Sequence, residues 1–201
     1  MVVMHLFMLC LGTDVLNLFL RKIKQLRWWT GVYRSGMLPI ATTLAVLVFA
    51  YWNIHHVVKT DYIVETDKSI RAEGYQVAFI SDLHAGLTLD SEDLQQYAHE
   101  IAALQPDLVI LGGDIVDEGT SLECMQLSFQ ILGDIPSELG TFYVYGNHDR
   151  QLYRTDRAYT ESELRSVIEG NGIIILEDDT YPINNEFTIV GREDASYGGA
   201  D

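Results

Sequence analysis

Three short apolar runs, each ending abruptly in polar chemistry, constrain this chain more than any other feature. Val77–Ile80 runs into Ser81-Asp82-Leu83-His84, and Leu108–Leu111 runs into Gly112-Gly113-Asp114-Ile115-Val116-Asp117. Phe142-Tyr143-Val144-Tyr145 runs into Gly146-Asn147-His148-Asp149. A run that is apolar at every position reads as a strand buried on both faces, the habit of parallel sheets. Open α/β sheets bind ligands just beyond the carboxyl ends of their strands. Three such strands would deliver Asp82, His84, Asp114, Asn147 and His148 to one edge. Carboxylates, imidazoles and an amide give that edge the donor chemistry of a metal site.

The segments between the runs carry helical periodicity. Asp90 or Ser91 is placed to cap a helix with apolar positions Leu94, Tyr97, Ala98, Ile101 and Leu104, stopped by Pro106. Thr120 with Glu123, and Thr160 with Glu163, have the spacing of capping boxes that open two more helices. Residues 173–176 and 187–190 read as further strands. The predicted order is β-α-β-α-β-α-β-β. It describes an α/β fold whose βαβαβ core has right-handed crossovers and helices on both faces.

Charge divides the chain sharply. Residues 1–59 hold six basic groups and one acid, Asp14, whereas residues 60–201 hold seven basic groups against 28 acids, a net charge of −21. So acidic a domain repels nucleic-acid backbones, and nucleic-acid binding is not expected. Cys10 and Cys124 make no disulfide framework.

Residues 2–20 are mostly apolar but contain Asp14 and Asn17, which are costly in a bilayer unless they face a partner helix. Residues 21–35 crowd Arg21, Lys22, Lys24, Arg27 and Arg34 among Trp28, Trp29 and Tyr33, a mix that favours a cytoplasmic membrane interface. Residues 35–58 contain no Asp, Glu, Lys or Arg. The expected organisation is a membrane anchor over 1–58, with spans at 2–20 and 37–57 and a basic loop at 21–35. A linker over 59–74, with a short strand at Tyr62-Ile63-Val64, leads to a globular domain over 75–201. With the basic loop inside, the expected location is the cell membrane, multi-pass, with the acidic domain outside the cytoplasm.

Asp-x-His puts a hard oxygen and an imidazole nitrogen two residues apart, where a tight turn can aim both at one ion. Asp114, having two oxygens, can bridge two ions, and Asn147 offers a carbonyl oxygen to the second. Mixed N/O donors without thiolate suit Mn, Fe or Zn. Two divalent ions about 3.5–4 Å apart generate hydroxide near neutral pH and clamp a phosphoryl group for in-line attack. His148 stands beside them as an acid for the leaving oxygen, with Asp149 or Asp117 to orient it. Arg150, Arg154 and Arg157 follow the third cluster and read first as a solvated helix face, second as phosphate contacts.

Asp82-x-His84, Gly113-Asp114-x-x-Asp117 and Gly146-Asn147-His148-Asp149 resemble the first three signature blocks of the calcineurin-like metallophosphoesterases, over residues 76–191. The apolar front end and the phrase Ile80-Ser81-Asp82-Leu83-His84 are similar to the membrane-anchored bacterial branch of that family. The resemblance implies an α/β sandwich, two divalent metal ions and a phosphate-ester substrate. It implies that Asp82 and His84 bind the first ion, Asp114 bridges, Asn147 binds the second, and His148 is the catalytic acid. The family's later blocks add histidine ligands, and here no histidine follows His148. The resemblance therefore implies a chain truncated before those motifs and inactive by itself. Monoesters, diesters and pyrophosphates all fit, with lipid or envelope-linked substrates favoured by location. The alternative is a non-catalytic membrane protein with an incomplete metal site. A transporter fragment is disfavoured, because two spans make no pathway.

Overall fold

The computed structural model describes residues 2–23 and 28–197. Lys24 and Arg27 of the basic stretch, and the last residues 198–201, lie outside them. The chain divides into two compact units, Met1–Tyr62 and Ile63–Asp201.

The first unit holds α1 (Val2–Leu20), α2 (Trp29–Ser35) and α3 (Met37–Ile54), and α1 packs against α3. Both α1 and α3 are long and apolar enough to cross a membrane, by length and composition. Phe7, Leu11 and Phe19 of α1 and Leu44, Val48 and Phe49 of α3 stay exposed. The costly polar groups of α1 find partners. Tyr33 donates its hydroxyl to Asp14 at 2.8 Å, and the Trp29 indole donates to Asn17 at 3.2 Å. Part of the expected basic loop is thus the short helix α2, whose aromatic polar tips satisfy α1. Gly36, at φ 64°, ends α2 with its N–H on the Tyr33 carbonyl, so α3 starts at once. α3 stops at Ile54 rather than at 57.

The expected strand at 62–64 is exposed chain without sheet partners among the described residues. The second unit holds a four-stranded sheet: β1 (Val77–Ile80), β2 (Leu108–Leu111), β3 (Thr141–Tyr143) and β4 (Ile173–Ile175). All neighbours are parallel, with Val77 beside Leu108, Val109 beside Thr141 and Thr141 beside Ile173. Between them run α4 (Ser91–Ala103), α5 (Leu122–Gly133) and α6 (Glu161–Gly170). Asp90 caps α4 by accepting from the amides of Glu92 and Asp93. Thr160 and Glu163 form the expected capping box of α6. At α5 the cap is Ser121, which accepts from the Cys124 amide. Thr120, expected there, is buried, and its hydroxyl serves Asp117 and the Ala85 carbonyl instead.

Helices were expected on both faces, but they occupy one. Val109, Leu111, Tyr143 and Ile173 point into a core with Leu94 and Ala98 of α4, Met125 and Phe129 of α5, and Leu164 and Ile168 of α6. Strand order follows chain order. Crossovers of a single hand then put every helix on the same side, and only a reversal of strand order would send some to the other. The opposite face belongs to an antiparallel hairpin, β5 (Asp179–Ile183) and β6 (Phe187–Gly191). Leu108, Phe142 and Leu176 pack there on Ile183, with Phe187 and Ile189 alongside. That cover does not reach β1. Val77 is 45% and Phe79 66% exposed, so this first apolar run is buried on one face only.

Candidate metal centre

Beyond the carboxyl ends of β1 and β2 the backbone pairing continues into the loops. Asp82 N–H donates to the Gly113 carbonyl, His84 N–H to Asp114 and Ala85 N–H to Ile115, all at 3.0–3.1 Å. This zipper brings Asp82, His84 and Asp114 together. One donor atom from each lies within 4.8 Å of the others, two of the residues half-buried and Asp82 exposed. All three hold left-handed backbone, with φ of 56°, 45° and 51°. Such conformations cost about 1 kcal/mol or more each for residues with a Cβ, and they concentrate at sites the surrounding structure over-determines.

The third loop is fastened to the same frame through carboxylates. Asp149 is fully buried. One of its oxygens accepts from the amides of Asp114 (2.8 Å) and Gly146 (2.6 Å). The other accepts from Ile115 (2.9 Å) and Val116 (3.1 Å). Burial pushes its carboxyl up to about 6, against the pull of these amides. Asp114 in turn accepts from the His148 amide at 3.0 Å. Glycine is needed where the loops cross: a Cβ on Gly113, whose φ is 86°, would lie 2.5 Å from the Gly146 nitrogen. Asn147 is half-buried in this loop, between Gly146 and His148.

His148 and His84 stand edge to face, ring centres 5.5 Å apart. Their carboxylate partners differ from expectation. Asp117 lies 3.3 Å from Nδ1 of His84, and neither Asp117 nor Asp149 is the partner of His148. Glu118 is, with Oε2 at 2.7 Å from Nδ1, and this hydrogen bond raises the imidazole above its ordinary value. Sequence reasoning missed Glu118. It also misjudged the arginines, because residues 150–157 form turns and no helix. Arg150 is buried between the rings of Tyr145 and Tyr197 and pairs with Glu161, Glu177 and Glu193. Arg154 donates to the Glu118 carbonyl and pairs with Asp156. Arg157 is exposed.

Two carboxylates and an imidazole, free of thiolate and gathered at the strand ends, fit a divalent cation of intermediate hardness. The fold and this donor set define a parallel α/β domain with a candidate metal-binding group. Residues 75–199 match the family model of the calcineurin-like phosphoesterases. A transmembrane protein with metallophosphoesterase domain from Danio rerio is 27% identical over 122 residues, covering 60% of this chain and 28% of that protein. The uncharacterized metallophosphoesterase YkuE of Bacillus subtilis (strain 168) is 30% identical over 83 residues, 41% of this chain and 29% of its own. The phosphodiesterase YaeI of Escherichia coli (strain K12) is 31% identical over 134 residues, 61% and 45%. The chain belongs to the calcineurin-like phosphoesterase family, and it spans less than half the length of each of these relatives.

Proposed function

We propose that this chain carries part of a membrane-anchored, metal-dependent phosphoesterase, with residues 1–58 as anchor, 59–74 as linker and 75–201 belonging to its metallophosphoesterase domain. The observation that carries the reading is the convergence of Asp82, His84 and Asp114. These three would hold the first divalent cation. Asp117 on Nδ1 of His84 suits Nε2 as the ligating nitrogen. Asp114 and Asn147 would hold a second cation, Asn147 through its amide oxygen. Such cations supply Lewis acidity and a more acidic water, and Mn, Fe and Zn all suit the donors.

The chain's own residues do the rest. As water attacks phosphorus, the ester P–O bond breaks with its electron pair on the leaving oxygen. That oxygen takes a proton from Nε2 of His148, and the attacking water releases one to solvent. Asp149 and Asp117 act here as supports, the first by fixing both loops and the second by fixing His84. The diester is the first substrate to try, because the E. coli relative's name is phosphodiesterase. Monoesters and pyrophosphates remain substrates of the same chemistry, lipid- or envelope-linked ones favoured by the two apolar helices.

The test is Mn²⁺ binding by calorimetry and hydrolysis of bis(p-nitrophenyl) phosphate by the full-length membrane protein. His84→Ala is expected to weaken Mn²⁺ binding at least about 10-fold, the range seen when metal-site support is removed. Binding unchanged in His84→Ala would overturn the assignment.

A further inference from the structure

We propose that Tyr153 and Leu87 form an apolar subsite of the candidate centre, which takes the apolar ester group of a phosphate-ester substrate; the substrate half of this rests on the phosphoesterase reading. Each is the outward apolar residue of a loop whose other parts are anchored. Tyr153 follows His148 and Leu87 follows His84, and these two imidazoles stand with ring centres 5.5 Å apart.

The turn that carries Tyr153 is pinned at both ends. Gln151 is fully buried and holds left-handed backbone at φ 51°. Its side chain donates to the carbonyls of Asp117 (2.7 Å) and Thr120 (2.9 Å) and accepts from the Ala158 amide (2.8 Å). On the other side Arg154 donates to the Glu118 carbonyl at 2.6 Å. Between these anchors Tyr153 is turned outward and is 65% exposed, yet its ring lies against His148, centre to centre 5.5 Å at 53°. A ring that keeps most of its surface in water gains little from folding. What it offers is a flat apolar face beside the imidazole.

The loop after His84 is built in the same way. Ala85 and Leu89 are buried, the Gly86 amide donates to the Leu89 carbonyl at 2.8 Å, and the Leu87 amide donates to the His84 carbonyl at 3.0 Å. Gly86, at φ 88°, runs so close to α5 that a Cβ there would come 2.9 Å from Sγ of Cys124. Leu87 is left outside, 70% exposed. Ligand sites combine a few polar anchors with apolar walls. Here the anchors are the donor cluster, and the walls are the two side chains that the pinned loops hold out of the core.

The experiment measures Kd of methylphosphonate, phenylphosphonate and cyclohexylphosphonate by calorimetry on the full-length protein with Mn²⁺, in the parent, Tyr153→Ala and Leu87→Ser. These probes share a phosphorus headgroup, differ in their apolar part and are not hydrolysed. The parent is expected to bind a ring phosphonate about 10-fold tighter than methylphosphonate, the scale of a small apolar contact. Tyr153→Ala is expected to lose most of that advantage and Leu87→Ser part of it. A larger gain for phenyl marks an aryl group in the substrate, and an equal gain for both rings marks an alkyl one. Equal affinity for all three probes in the parent, no binding of any, or an advantage that survives Tyr153→Ala would overturn the subsite. An advantage untouched by Leu87→Ser would remove Leu87 from it. Failure to hydrolyse bis(p-nitrophenyl) phosphate while the ring preference holds would overturn the phosphoesterase reading and leave the apolar subsite standing.

Discussion

At the scale of single residues, the centre is held by carboxylates with very different work. Asp149 is the one with most to lose. It keeps four amides from two loops satisfied in a place water does not reach. Asn in its place has one acceptor oxygen and would turn an N–H₂ toward two amides that also donate. Hydrogen bonds to buried charged groups are worth enough that Asp149→Asn should weaken the loop frame by about 3 kcal/mol. We expect amide exchange in the segment Asp114-Ile115-Val116 to quicken by about two orders of magnitude, since each 1.4 kcal/mol is a factor of ten. Exchange as slow as in the parent would show that the clasp is dispensable.

At the scale of elements, the approach to the sheet is pinned by charge. Arg71, ahead of β1, pairs with Asp107 at the mouth of β2, and Asp107 also accepts from the Gln76 amide at 2.7 Å. The Arg71 side chain, then the Gln76 amide, hold the Asp107 carboxyl below its ordinary 3.8. A lowered native value means the contribution is present above pH 4 and fades as pH falls through the native value. Asp107→Asn should therefore melt earlier than the parent at pH 7, and the gap should close below pH 4 in thermal scans. A gap independent of pH would rule the ion pair out as its source.

The elements also show what the sequence could and could not disclose. Strand ends were legible because an apolar run stopping at Asp82, Asp114 or Asn147 is a local signal. The face each helix would take was not, because it follows from which strands pair. β5 escaped notice since Pro182 and exposed polar positions spoil its alternation, although Asn184-Asn185, both at positive φ, marked the turn. Thr120 and Ser121 are equally good caps on paper, and the tertiary demand of Asp117 on the Thr120 hydroxyl chose between them. Glu118 differs from Asp117 by one position in a loop, and spacing alone does not tell which way a turn aims its side chains.

At the scale of the whole molecule, one unit carries the apolar helices and the other the donor cluster. If Arg21, Lys22 and Arg34 lie on the cytoplasmic side, as we propose from their basic charge, the second unit would lie outside. Protease added to intact spheroplasts is expected to cut within 59–74 and release the acidic domain, while inverted vesicles protect it. Protection in spheroplasts would reverse the orientation.

The grouped Asp82, His84 and Asp114, and the neighbouring Asn147 and His148, all lie in the loops that follow three consecutive strands. As a matter of inheritance, this makes these five residues a transferable cassette. A recombination event that joined the stretch from β1 to the third loop to another leader would carry over these five residues in their existing order. The address of such a protein can change in one generation while these five residues keep their places.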